Sequence, residues 1–352
     1  MSRMLTFAKA VNEALFQAMS RDERVICYGL GVDDPKGIFG TTLGLKERFG
    51  AQRVFDMPTS ENAMTGIGIG AALNGIRPVM MHQRLDFFLL ALDQLVNNGA
   101  KWHYMFGGQA SVPITIRLVV GQGWGQGPQH SQSLHAWLCH IPGLKVVMPF
   151  SPYDAKALLA ASIEDDNPVV FIEHRWLHNT FGHVPEGPCR ELLGKARVVR
   201  QGGDLTIVAS SYMVLEALRC AEVLAAIGVD IEVVDVRTIH PLDTATILES
   251  VAKTGRLLVA DGGWRNCGFA AEVLAVVTEQ AFATLVCAPQ RVTLADCPIP
   301  TSPVLAVDCY PDRRSMAERV CRMLATDPDF DKLFPPLETP RDVPDKSFTG
   351  PF

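Results

Sequence analysis

At 352 residues the chain is long enough for two or three domains with substantial cores. Its 48% hydrophobic and 20% charged residues are those of an ordinary globular protein, and its net charge of −6 counts against nucleic acid or an anionic membrane as partner. No apolar run reaches the length that spans a bilayer.

The opening, MSRMLTFAKAVNEAL, lacks a signal-peptide layout and turns directly into an amphipathic helix. Thr6 can cap it, and Val11, Ala14, Leu15, Ala18 and Met19 make one apolar stripe. Strands are predicted next over 25–30, 53–56, 77–82, 113–120, 144–149 and 168–173, with helices over 62–74, 87–99 and 152–163. Ser151 followed by Pro152 is a strong start for the last helix. This alternation implies a parallel sheet covered by helices on both faces.

Residues 183–203 are rich in Gly and Pro and read as a linker with one strand. A second alternating block has strands over 205–210, 230–236, 256–261 and 291–296, and helices over 212–226, 242–253, 268–281 and 313–325. The expected fold class is therefore α/β, with two doubly wound domains over 1–182 and 204–333 and an extended Pro-rich tail over 334–352. The nine cysteines are odd in number and form no CxxC, which predicts reduced thiols in a cytoplasmic protein.

Three segments could carry chemistry. Asp56-Met57-Pro58-Thr59-Ser60-Glu61-Asn62 joins a strand to a Gly-rich helix, where α/β folds place ligands. Glu61 fits either a catalytic acid there or a helix N-terminal acid favoured by the macrodipole. The G-x-G-x-x-A from Gly66 to Ala71 lies too far beyond its strand for a dinucleotide fingerprint, and its glycines read as close helix packing. The loop 121–132 holds four glycines in seven residues and ends beside His130, which suits either a proton-transfer group or a structural histidine. A Gly-Asp-Gly motif for a Mg²⁺-diphosphate is missing; Asp261-Gly262-Gly263 has neither its order nor its setting.

Taken together, TSENAMTGIGIGAALNGIRPV, LDQLVNNGAKWHYMFGGQ, QHSQSLHAW, HIPGLKVVMPFSPYDAKALL, DDNPVVFIEH, DVRTIHPLD and TGRLLVADGGW resemble the beta subunit of thiamine diphosphate-dependent 2-oxo acid dehydrogenase components, of the pyruvate, acetoin and branched-chain type. The resemblance covers nearly the whole chain and implies a pyrimidine-binding domain followed by a transketolase C-terminal-like domain. It further implies an oxidoreductase subunit that decarboxylates a 2-oxo acid such as pyruvate and passes the acyl group to lipoamide. Activity would need an alpha subunit, in an assembly of two alpha and two beta chains, with a lipoyl acyltransferase as further partner. Thiamine diphosphate and Mg²⁺ would be held mainly by that alpha subunit, which accounts for the missing Gly-Asp-Gly.

By the same resemblance Glu61 stands where the family keeps the glutamate that hydrogen-bonds N1′ of the aminopyrimidine and activates the cofactor. Phe87 matches the aromatic residue that stacks on that ring, and His130 a histidine that assists acyl transfer. Ile114, Asp165 and Asn167 fall in segments that form a potassium-type site in relatives, largely through main-chain oxygens.

The sequence departs from the family at two places. An acidic Gly-Glu-Glu or Gly-Glu-Asp is replaced by Gly29-Leu30-Gly31-Val32, with Asp33 and Asp34 displaced beyond it. After Arg-Pro the run is Met80-Met81-His82-Gln83-Arg84, which places His82 and Arg84 on one face and Gln83 on the other, close to where substrate or acceptor would enter. A polar pocket of this kind supports an alternative, a thiamine-dependent carbon–carbon ligase or ketol transferase acting on a sugar or a carrier-bound acceptor. Met105-Phe106-Gly107-Gly108 resembles the acetoin branch and implies acyl transfer instead.

Overall fold

The computed structural model describes residues 2–335 apart from 35 and 124, together with residues 342–344. Two compact units emerge: Met1–Gly121 with Trp137–Leu193, and Gln122–Ala136 with Gly194–Pro351. The second unit thus takes 122–136 out of the stretch expected for the first domain, and the division falls inside the expected linker. Most of the expected tail lies outside the described residues.

In the first unit six strands run parallel in the order Lys145–Val147, Val169–His174, Thr115–Val120, Arg77–His82, Val25–Gly29, Val54–Asp56. The three central ones, Val169–His174, Thr115–Val120 and Arg77–His82, are buried at nearly every residue, as a sheet covered on both faces requires. Helix Phe7–Arg21 buries the predicted stripe, and the Thr6 hydroxyl accepts from the Lys9 N–H at 3.2 Å. Helix Pro152–Glu164 begins at the predicted Ser151 cap, whose Oγ accepts from the Asp154 N–H at 3.0 Å.

Two features differ from the expected elements. Strand Ser2–Thr6 pairs antiparallel with Phe181–Pro185; at five residues with two polar ends it carries too little period to stand out beside the helix that follows. The helix expected over 87–99 breaks into Leu85–Phe88, a 3₁₀ turn Leu89–Ala91 and a wide π turn Gln94–Gly99. Side-chain bonds Asn97 to Asp93 (2.7 Å) and Asn98 to Gln94 (3.0 Å) accompany the widening, and π turns concentrate at functional sites.

The sheet of the second unit has the order Gln290–Leu294, Leu257–Trp264, Leu205–Ala209, Ile231–Asp235, Arg197–Arg200. Its first four strands are parallel, and Arg197–Arg200 closes one edge antiparallel. Helices Tyr212–Ala225, Thr244–Thr254, Phe269–Ala281 and Arg313–Leu324 match the predicted ones within a few residues. Both units are α/β with parallel sheets, as the alternation predicts.

Candidate active site

A parallel sheet sends every strand toward one carboxyl edge, and ligands gather where neighbouring strands send their connections to opposite sides. In the first unit that point lies between Val25–Gly29, whose chain moves on to Val54–Asp56, and Arg77–His82, whose chain moves the other way to Thr115–Val120. The Gly29–Val32 turn and His82–Arg84 leave the sheet there and come together: a Cβ on Gly31 would stand 2.5 Å from Gln83 Nε2. Positive φ at Gly29 and Gly31 makes this approach possible.

Asp56 ends the neighbouring strand and holds this turn. Its carboxylate accepts from the N–H groups of Gly31 (3.1 Å) and Val32 (2.5 Å). Burial, followed by the charge of Asp33, pushes the Asp56 carboxyl up despite those bonds, while Lys46 pairs with Asp33 at 2.5 Å. Sequence reasoning named Asp56 only as the start of a segment. Its recruitment by the turn explains how the departure from Gly-Glu-Glu still leaves a carboxylate beneath the loop.

Five residues on, Glu61 opens helix Glu61–Leu73. It is half-buried, and among the described residues its carboxylate has no hydrogen-bond partner, only its carbonyl being taken by the Thr65 hydroxyl at 2.8 Å. A carboxylate left uncommitted at a helix start on the carboxyl edge is available to a ligand. The helix behind it is pinned by close packing. A Cβ on Gly68 would collide with the Tyr28 hydroxyl, which itself donates to the Met64 carbonyl at 3.1 Å. The Gly66–Ala71 string therefore packs within the helix, as its distance from the strand implied.

Burial alternates as strand geometry predicts: His82 is 0% and Arg84 3% exposed, while Gln83 is exposed. Burial pushes His82 down to about 4, so the imidazole is neutral at physiological pH. Both its ring nitrogens lack a hydrogen-bond partner among the described residues, and its ring meets Phe88 edge-on at 5.1 Å. Burial also lowers Arg84, which nonetheless remains cationic; the positive charge in this run is its alone. Phe87 is half-buried in the short helix Leu85–Phe88.

His130 is half-buried and belongs to the second unit through segment Gln122–Ala136. That segment is tied down by His135, whose Nε2 lies 2.9 Å from Asp261 Oδ1, and by the Gly123 N–H, which donates to the Tyr310 hydroxyl at 3.2 Å. Burial alone would raise Asp261, yet the His135 imidazole and the N–H groups of Gly263 and Ala270 hold it below the usual carboxylate range. Asp261-Gly262-Gly263 is thus a structural anchor with its carboxylate fully engaged.

The expected potassium-type residues lie together around one sheet end, but protein cations already sit on Asp165. Arg77 Nη1 donates to the carbonyls of Ile163 and Asp165, both at 3.1 Å, and Lys145 Nζ pairs with the Asp165 carboxylate at 2.6 Å. The Ile114 carbonyl accepts from Val169 at 3.0 Å, and the Asn167 N–H donates to Asp165 Oδ1 at 2.9 Å.

One polar cluster escaped the sequence reading. Arg117 and Glu173, on adjacent strands and both fully buried, pair with Nε 2.7 Å from Oε1, and His178 Nε2 lies 3.1 Å from Glu173 Oε2. Burial alone would raise Glu173, but Arg117 and His178 hold it down. Its signal was present as a lone Arg in TIRLVV and a lone Glu in VVFIEH, since charges in buried strands need partners.

The fold is thus that of a two-unit α/β protein whose first sheet reverses its direction of winding at the Gly29–Val32 and His82–Arg84 turns. Residues 3–179 match the model of the transketolase pyrimidine binding domain, and 194–316 that of the transketolase C-terminal domain. The acetoin:2,6-dichlorophenolindophenol oxidoreductase subunit beta of Cupriavidus necator is 44% identical over 87% of this chain and 93% of its own length. The pyruvate dehydrogenase E1 component subunit beta of Rickettsia felis is 40% identical over 90% and 97%, and the mitochondrial subunit beta-1 of Arabidopsis thaliana 41% over 85% and 84%. A split gene transketolase, solved as an inactive beta4 tetramer, superposes with a TM-score of 0.75 at 21% identity, over 92% of this chain and all of that one, and shows the shared fold. The chain belongs to the transketolase-like family, among the beta subunits of pyruvate and acetoin dehydrogenase type.

Proposed function

We propose that the chain is the beta subunit of a thiamine diphosphate-dependent 2-oxo acid dehydrogenase, acting on pyruvate or a near relative. The observation that carries this reading is the half-buried Glu61 carboxylate, uncommitted among the described residues at the carboxyl edge of a pyrimidine-binding domain. The residues present fit the aminopyrimidine end of the cofactor: an acceptor at Glu61 and an aromatic face at Phe87. They lack the diphosphate end, so an alpha chain supplies the Mg²⁺-diphosphate site in an assembly of two alpha and two beta chains. When bound, thiamine diphosphate supplies the electron sink for loss of CO₂.

Within this chain the Glu61 carboxylate would hold the proton at N1′ of a bound aminopyrimidine, and Phe87 would offer the face that positions the ring. Asp56 shapes the crevice by fixing the Gly31–Val32 backbone. Arg84 offers the charge that would steady a substrate carboxylate, while neutral, fully buried His82 contributes shape alone. His130 would move a proton if the acyl group passes to the lipoyl group of an acyltransferase partner. The potassium-type ion at Ile114, Asp165 and Asn167 would have to share its oxygens with Arg77 and Lys145. Cytoplasmic residence is supported by nine cysteines, none of them in a disulfide.

The test is to co-purify the chain with its alpha partner and measure CO₂ release from pyruvate with thiamine diphosphate and Mg²⁺. Glu61→Gln is expected to lower kcat by about a hundredfold or more, since general acid–base help contributes roughly 10²–10⁴. Equal rates in wild type and variant overturn the assignment. Transfer to a sugar in place of lipoamide would restore the ligase reading, which the acetoin and pyruvate names of the relatives disfavour.

A further inference from the structure

The second unit holds a cavity of about 370 Å³ between its edge strand Gln290–Leu294 and helix Arg313–Leu324. This is within the range of roughly 300–1,000 Å³ usual for small-molecule sites. Four arginines line it, Arg265, Arg291, Arg319 and Arg322, facing the carboxylates of Asp296, Asp308 and Glu318. Of the three, Glu318 is neutralised by Arg314 at 3.2 Å, whereas Asp296, which accepts from the neutral Asn266 amide at 2.8 Å, and Asp308 keep their charge.

Among the described residues none of the four guanidiniums is in an ion pair. Arg291 donates to the Arg265 carbonyl at 2.9 Å and Arg319 to Gln290 Oε1 at 3.2 Å. Those acceptors are neutral, so they fix the side chains without cancelling their charge. Four guanidiniums against the two remaining carboxylates leave the space net positive, which draws in an anion. The start of the helix contributes little to that potential, because two of its first N–H groups are engaged: Ser315 donates to Asp312 Oδ1 at 2.8 Å and Arg313 to Glu216 Oε2 at 2.9 Å. Guanidiniums from a strand, a loop and a helix offer donors on several sides, which suits tetrahedral oxygens better than a planar carboxylate.

We propose that this cavity binds the phosphate group of a small phosphorylated molecule, through Arg291 and Arg319 with Arg265 and Arg322 at its rim. The test is calorimetric titration of the full chain with inorganic pyrophosphate, and with citrate as a carboxylate control. Saturable binding of one pyrophosphate per chain is expected, weakened about tenfold or more by Arg291→Gln and by Arg319→Gln. Arg322→Gln, at an exposed residue, should weaken it with the melting temperature unchanged, which separates loss of the site from loss of the fold. No saturable binding, or wild-type affinity in all three variants, overturns the proposal. Citrate bound as tightly as pyrophosphate overturns the assignment to phosphate.

Discussion

At the scale of single residues, His82 has the sharpest consequence. An imidazole with no exposed surface and no partner for either nitrogen among the described residues resists protonation in the fold, and its value falls from 6.5 to about 4. The unfolded chain therefore binds the proton first. Stability is unaffected above the unfolded value, falls as pH drops below it, and the loss is complete once pH passes below the folded value. For this one group the fall between pH 7 and pH 5 should be about 2 kcal/mol. His82→Leu is expected to remove that part of the slope in urea unfolding measured at the two pH values. A slope equal to wild type would mean that the imidazole is solvated in the fold. None of this was readable from the sequence, which placed His82 on a face but could not tell a buried face from a wet one.

At the scale of elements, the helix that presents Glu61 depends on a missing side chain. Gly68 lets helix Glu61–Leu73 press against Tyr28, so Gly68→Ala is expected to destabilise the protein by about 1–3 kcal/mol despite the better helix propensity of alanine. Adding Tyr28→Phe should recover part of the loss, because the colliding atom is the hydroxyl; strictly additive effects in the double variant would refute the contact. Caps and apolar stripes were legible here because they are local: Thr6 and Ser151 cap the helices they were expected to cap. The broken run over 85–99 was not. Its apolar period is helical, and the amide side chains that bond along the widened turn, with Gly99 packed on Ile69, carry no sequence signal of it. The Arg117–Glu173–His178 cluster was hidden for a similar reason, since its members lie up to 61 residues apart and meet only through strand order (Glu173 to Arg117 spans 56 and His178 to Glu173 spans 5).

At the scale of the whole molecule, the placement of Gln122–Ala136 in the second unit was the least legible feature. Glycine content marked it as a loop, but its partners Asp261 and Tyr310 are far away in sequence. His135→Ala would leave the fully buried Asp261 with backbone donors alone. We expect a loss of about 3 kcal/mol and faster amide exchange confined first to 122–136. Exchange at the wild-type rate would show that His135 does not hold the segment.

That tether also sets an order of events during synthesis. His135 leaves the ribosome 126 residues before Asp261, and Gly123 precedes Tyr310 by 187. At roughly 5–20 residues per second, the segment waits on the order of 6–25 s for its buried carboxylate. During that interval the nascent chain carries a Gly-rich stretch, His130 included, with no surface yet made to receive it. A fragment ending in the 183–203 stretch would stay in that condition indefinitely. Swapping the C-terminal half for that of a relative would succeed only if the relative kept both anchors.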